Sequence, residues 1–240
     1  MAINFKTKNI LIVFGTRPEA IKMAPLIKLL KEKMSVKVCV TAQHREMLDQ
    51  VMAIFDIKSD YDLNIMKNNQ DLFDVSSNVL TEMKLVIKEC QPDLVLVHGD
   101  TTTSMATSLA AFYLQIPIGH IEAGLRTYNI NSPFPEEMNR QVVSRLANFH
   151  FAPTIEAQNN LKKEYLPSSN IYVTGNTVID SLFSILERAR SSNYSDELLI
   201  KAPFLVKNLS SSRIILVTGH RRENFGEGFE EICWALHDIA

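Results

Sequence analysis

The sequence predicts an α/β protein built on a doubly wound parallel sheet, and three observations carry the prediction. Short β-branched runs alternate with longer stretches of helical period. Several of those runs are apolar on both faces, which suits strands covered by helices on each side. The eight glycines are expected at strand ends or in the loops just beyond them, where open α/β sheets bind their ligands.

The strands are expected at Ile10–Phe14, Val36–Thr41, Leu94–His98, Ile116–Ile121, His150–Ala152, Ile171–Thr174 and Ile214–Thr218. Helices are expected near 18–33, 44–55, 72–90, 102–114, 135–148, 154–165 and 177–190, with a last one from about 224. This βαβα rhythm is what a sheet with helices on both faces requires. Segment 191–212 breaks it, opening with Ser191-Ser192-Asn193 and closing with Ser210-Ser211-Ser212 around Pro203. A first Rossmann-like domain is therefore expected over 1–170 and the opening part of a second over 171–240, which a single βα unit leaves incomplete.

Composition excludes several classes. The 240 residues carry 25 basic and 27 acidic side chains, a net charge of −2, which argues against broad binding to nucleic acid. The apolar run near the N-terminus is too short for a signal core, and no stretch is long enough to span a membrane. Cys39, Cys90 and Cys233 are far apart and lack a CxxC spacing, so buried thiols in a reduced cytoplasmic protein are expected. No cluster has metal-ligand spacing, and neither a Walker A loop nor a GxGxxG fingerprint is present.

The chemistry-bearing residues gather where strands end. Gly15-Thr16-Arg17-Pro18 opens a helix with Thr16 or a neighbour as its cap, and Lys22 lies about a turn inside. Arg17 and Lys22 either hold an anion at the helix mouth or line a solvated face. Asp100 follows Gly99 and either caps the next helix or enters the crevice. Glu122 stands at a strand end before Gly124, a place that capping explains less well. Glu136 and Arg140 are four apart, hence on one helical face, as an exposed ion pair or as a crevice pair. His220, between Gly219 and two arginines, is a candidate phosphate contact or proton carrier.

The strings GTRPEAIKMAPL, TAQHREMLDQV, VHGDTTT, HIEAGLRT, FPEEMNRQ, GNTVID and VTGHRREN, in this order, closely resemble the non-hydrolysing UDP-N-acetylglucosamine 2-epimerases of bacteria. The resemblance implies a GT-B-type fold of two Rossmann-like domains and a homodimer. It also implies interconversion of UDP-N-acetylglucosamine and UDP-N-acetylmannosamine for surface polysaccharides, with no cofactor and no metal. Carried over residue by residue, Arg17 and Lys22 bind substrate. Asp100, Glu122 and His220 match substrate-contacting, catalytically important positions, and Glu136 and Arg140 match residues implicated in catalysis. Asp100, Glu122 and Glu136 are the expected proton-transfer set.

Members of that family continue beyond the position matched by Ala240, into a stretch that holds the uridine diphosphate. Two expectations follow. Either the chain carries the epimerase activity, or it is an inactive remnant that at most binds a UDP-sugar or a partner.

Overall fold

The computed structural model describes residues 9–41, 45–65, 70–191, 215, 217 and 226–239. In chain order the first compact unit, Met1–Glu187, contains β1 (Asn9–Phe14), α1 (Arg17–Lys31), β2 (Ser35–Val40), α2 (Arg45–Ile54), β3 (Tyr61–Asp62) and α3 (Leu72–Cys90). There follow β4 (Leu94–His98), α4 (Thr102–Tyr113), β5 (Ile118–Ile121), α5 (Glu136–Leu146), β6 (Phe149–Ala152), α6 (Ile155–Lys163) and β7 (Ile171–Val173). Helix α7 (Thr177–Ser191) closes the series and runs into the second unit, Arg188–Ala240, in which α8 (Glu227–Ile239) is described.

The seven strands form one sheet in the order β3-β2-β1-β4-β5-β6-β7, and every pair is parallel. Strand alternation sorts the β1 side chains between two cores. Ile10, Ile12 and Phe14 pack with Met23 and Ile27 of α1 and Leu48 of α2 on one face. Leu11 and Val13 pack with Val79 and Met83 of α3 and with Ala106 and Ala110 of α4 on the other. A strand buried on both faces needs an unbroken apolar run, which Ile10–Phe14 supplies.

Helix α4 is buried on almost every side, and its small residues allow this. Thr103, Ser104, Thr107 and Ser108 are fully buried alongside Ala106, Ala110 and Ala111. Ser104 and Ser108 place their hydroxyl protons on the carbonyls of His98, 2.6 Å away, and Ser104, 2.7 Å away. The helices start where the caps stand: Thr16 with a reciprocal capping box to Glu19, Asp71 with one to Asp74, and Thr101 and Thr154 through their hydroxyls.

Four features differ from expectation or extend it. The edge strand β3 spans two residues, too few to give a periodic signal. Gly119 lies inside β5 rather than at its end, and Gly228 lies within α8. Strand β7, assigned by sequence to the opening of a second domain at 171, pairs with β6 in the first sheet, and the first compact unit extends to Glu187. Most of the expected strand at 214–218, most of the 191–212 break and His220 lie outside the described residues.

Candidate active site at the strand ends

The strand order reverses between β1 and β4, because β2 and β3 lie on one side of β1 and β4 to β7 on the other. Ligand crevices form at such a switch point, outside the carboxyl ends of the strands. The loops that follow β1, β4 and β5 carry Gly15-Thr16, Gly99-Asp100 and Glu122. The sheet thus gathers residues that stand a hundred positions apart in the chain.

Glu122 leaves β5 with φ of 62°, a left-handed backbone that costs a non-glycine residue roughly 1 kcal/mol. That turn aims its carboxylate back over the sheet end. Lys22 Nζ donates to Glu122 Oε2 at 2.5 Å, and Asn176 Nδ2, just before α7, donates to the same oxygen at 3.3 Å. His98 Nε2 lies 4.0 Å from it. Burial, then the Lys22 charge, depress the His98 pKa to about 3, so this imidazole is neutral and the contact is no ion pair.

Asp100 does not cap α4, since Thr101 does. Its carboxylate accepts a hydrogen bond from Arg140 Nη2, and its backbone carbonyl accepts from Asn139 Nδ2 at 2.9 Å. The first turns of α5 therefore hold Asp100 at both ends. Burial raises the Asp100 pKa, Arg140 opposes the rise, and the Glu122 charge adds to it. A carboxyl moved toward neutrality is the kind that can both take and return a proton.

The expected Glu136–Arg140 pair is replaced. Arg140 turns to Asp100 and, at 3.5 Å, to Glu137, while Glu136 stands half-buried at the start of α5. Helical spacing made both glutamates reachable by Arg140. Glu137 prevails because it is wholly buried and already fixed by the Thr127 and Tyr128 amides and the Gln141 side chain. Burial alone would raise the Glu137 pKa. The Gln141 and backbone hydrogen bonds and the Arg140 charge outweigh it and hold the carboxylate below its ordinary range. Arg17 is exposed at the mouth of α1.

Several residues of the site escaped the sequence. Glu19, His98, Asn139 and Asn176 bear on it and gave no separate signal, although the Thr16-x-x-Glu19 spacing of a capping box was legible. Among the described residues no group of three or more His, Cys, Asp or Glu side chains is placed to hold a metal ion.

The profile of the UDP-N-acetylglucosamine 2-epimerase family matches residues 28–240. The chain belongs to that family. It is 57% identical over 237 residues to a probable UDP-N-acetylglucosamine 2-epimerase of Ralstonia solanacearum, covering 97% of this chain and 62% of that protein. Identity to the Escherichia coli K12 UDP-N-acetylglucosamine 2-epimerase is 55%, with the same shares covered. Among solved structures, the Neisseria meningitidis epimerase bound to UDP-GlcNAc superposes with a TM-score of 0.89 at 53% identity, over 97% of this chain and 62% of that one. The Methanocaldococcus jannaschii epimerase in complex with UDP-GlcNAc and UDP gives 0.82 at 30% identity, over 96% and 62%. The chain thus spans about three fifths of the length of these epimerases, and its Rossmann-like sheet is the GT-B epimerase fold.

Proposed function

We propose that this chain carries the proton-transfer part of a UDP-N-acetylglucosamine 2-epimerase, which interconverts UDP-N-acetylglucosamine and UDP-N-acetylmannosamine. The observation that supports it most is the pair of carboxylates on adjacent strand ends, Asp100 and Glu122, each joined to a cation, Arg140 and Lys22. Inversion at C2 needs a base to remove a weakly acidic proton and an acid to return one on the other face. In the elimination, the C2–H electron pair becomes the C1–C2 double bond of 2-acetamidoglucal, and the C1–O pair leaves with UDP. Re-addition reverses these steps with the proton delivered from the opposite face.

Asp100, Glu122 and Glu136 form the proton-transfer set, and Lys22 and Arg140 stabilise developing charge. The family resemblance adds Arg17 as a substrate contact and His220, outside the described residues, as a further one. No cofactor is required. The setting we infer is cytoplasmic synthesis of precursors for surface polysaccharides, and no helix among the described residues is long and apolar enough to cross a membrane. The working state we infer is a homodimer. What supports that is an open apolar groove between α3 and α4 lined by Leu72, Phe73, Leu80, Met105, Leu109 and Phe134, with Phe73 84% exposed.

The test is incubation with UDP-N-acetylglucosamine in deuterated water, using the chain alone and the chain co-expressed with the C-terminal two fifths of a matched relative. Deuterium at C2 together with the 2-epimer is expected at least in the complemented sample. Neither product in either sample overturns the proposal.

A further inference from the structure

Glu19 is an unusual capping-box residue. Such a glutamate normally reaches back to one backbone N–H from an exposed first turn. Here the side chain is 2% exposed and receives hydrogen bonds from two loops. Oε2 accepts the amides of Gly15, at 3.0 Å, and Thr16, at 2.8 Å, in the loop after β1. Oε1 accepts the hydroxyl of Thr101, at 2.7 Å, in the loop after β4. Ser104 Oγ lies 3.2 Å from the same oxygen, but its single proton has a shorter partner in the His98 carbonyl at 2.6 Å. The firm bridge therefore runs from Gly15 and Thr16 through Glu19 to Thr101.

The surroundings of the bridge are tight. A Cβ on Gly15 would stand 2.2 Å from Thr41 Oγ1 and 2.6 Å from Thr103 Oγ1. Those two hydroxyls bond each other at 2.9 Å. The loop after β1 is thus pressed onto the start of α4, and Glu19 clamps it there. Thr101 is the neighbour of Asp100, and Lys22 lies three residues beyond Glu19 on the same face of α1.

We propose that Glu19 is a positioning residue that locks the β1–α1 loop to the β4–α4 loop and so sets where Lys22 and Asp100 stand relative to each other. Geometry is what this role requires, because the bridge needs reach to both loops. Burial raises the Glu19 pKa against all its hydrogen bonds, which agrees with a side chain retained for its position.

Three variants of the full chain separate the possibilities. Glu19→Ala removes the bridge. Glu19→Gln keeps an acceptor for the two amides and reaches Thr101 with a donor, preserving the span without the charge. Glu19→Asp keeps the charge but shortens the reach by one carbon. The readout is the titration midpoint of the Asp100 carboxyl by carbon-13 NMR, with thermal unfolding as the control for folding. A shift of about half a unit or more is expected in the Ala and Asp variants, with the Gln variant close to wild type. Should the Ala variant fail to fold, the Asp variant decides alone. An unchanged midpoint in the folded short variants overturns the proposal. An equal shift in the Gln variant also overturns it, because that result makes Glu19 a through-space charge.

Turnover supplies a second arm, and only that arm rests on the epimerase reading. A ten- to hundredfold fall in kcat with little change in KM is expected for Glu19→Ala, as for ångström-scale misplacement of a reacting group. Turnover is read in the complemented sample, and a complemented wild-type sample without turnover would count against the epimerase reading. The Asp100 titration would still decide the role of Glu19.

Discussion

The first compact unit has two halves held together by different chemistry. In the half built on β1 and β4, one buried carboxyl collects backbone amides and a hydroxyl, and threonines pack against Gly15. In the half built on β5, β6 and α6, the ties are ionic. Arg126, whose side chain is fully buried, binds both oxygens of Glu164 at 2.6 and 3.0 Å and the Ser144 hydroxyl at 2.9 Å. Glu137, also fully buried, faces Arg140. The difference teaches where each half is vulnerable. Removing a neutral partner costs one hydrogen bond, whereas removing one member of a buried ion pair leaves a charge without its counterion.

Acidification is expected to have the largest effect and to strike the ionic half first. His120 on β5 is depressed to about 3 and His150 on β6 to about 4, in each case chiefly by burial, against the single His98 on β4, also at about 3. Each is neutral in the fold, so the unfolded chain takes up its protons first as pH falls. Stability present above the ordinary histidine pKa of about 6.5 is therefore lost as pH drops below it, by up to about 1.4 kcal/mol per pH unit for each group. Glu19 and Asp100, raised by burial, act in the opposite sense as their carboxyls take up protons. Amide exchange from pH 7 to 4 should show β5 and β6 losing protection before β1. Simultaneous loss, or a flat profile, would remove the distinction between the halves.

Next in size is Arg126→Met. With Glu164 only 17% exposed, the variant should lose about 3–5 kcal/mol in urea unfolding, toward the lower end because Glu164 retains some water. A loss below 1 kcal/mol would mean the ionic half is no more fragile than the neutral one.

The smallest contrast compares two glycines. A Cβ on Gly124 would meet the backbone oxygen of Ala157 at 2.2 Å, at a φ of +91° that other residues rarely adopt. A Cβ on Gly15 would meet the threonine hydroxyls at an ordinary φ, and side chains yield more easily than backbone. Gly124→Ala is expected to cost on the order of 3 kcal/mol and Gly15→Ala about half as much. Thermal unfolding of both variants checks the order, and a reversed ranking contradicts it.

Periodicity made most of the architecture legible. The helix over 72–90 and the strand over 94–98 stand where the pattern places them, because each has a long apolar face or an unbroken apolar run. The site was legible as a set of strand ends, and Asp100, Glu122, Lys22 and Arg140 do converge there. Their pairing was not legible. Glu136 and Glu137 both lie within helical reach of Arg140, and burial with the amides of residues 127–128 and the Gln141 side chain decides for Glu137. The sheet that residues 171–173 join was not legible either, for a similar reason. A three-residue strand such as β7 is assigned by the sheet it joins, not by its own composition.

The sequence by itself determined most of the order of strands and helices, the capped start of α1, and which residue types stand at the carboxyl ends of strands. These are local properties, set by neighbours within a few residues. Tertiary structure alone decided the partners. Thr101 reaches Glu19 across 82 positions, Asp100 meets Arg140 across 40, and Glu122 meets Lys22 across 100. Such contacts depend on the strand order that sets β1 beside β4 and β4 beside β5. No local period encodes that order, because it is chosen by how two hydrophobic cores close on opposite faces of one sheet.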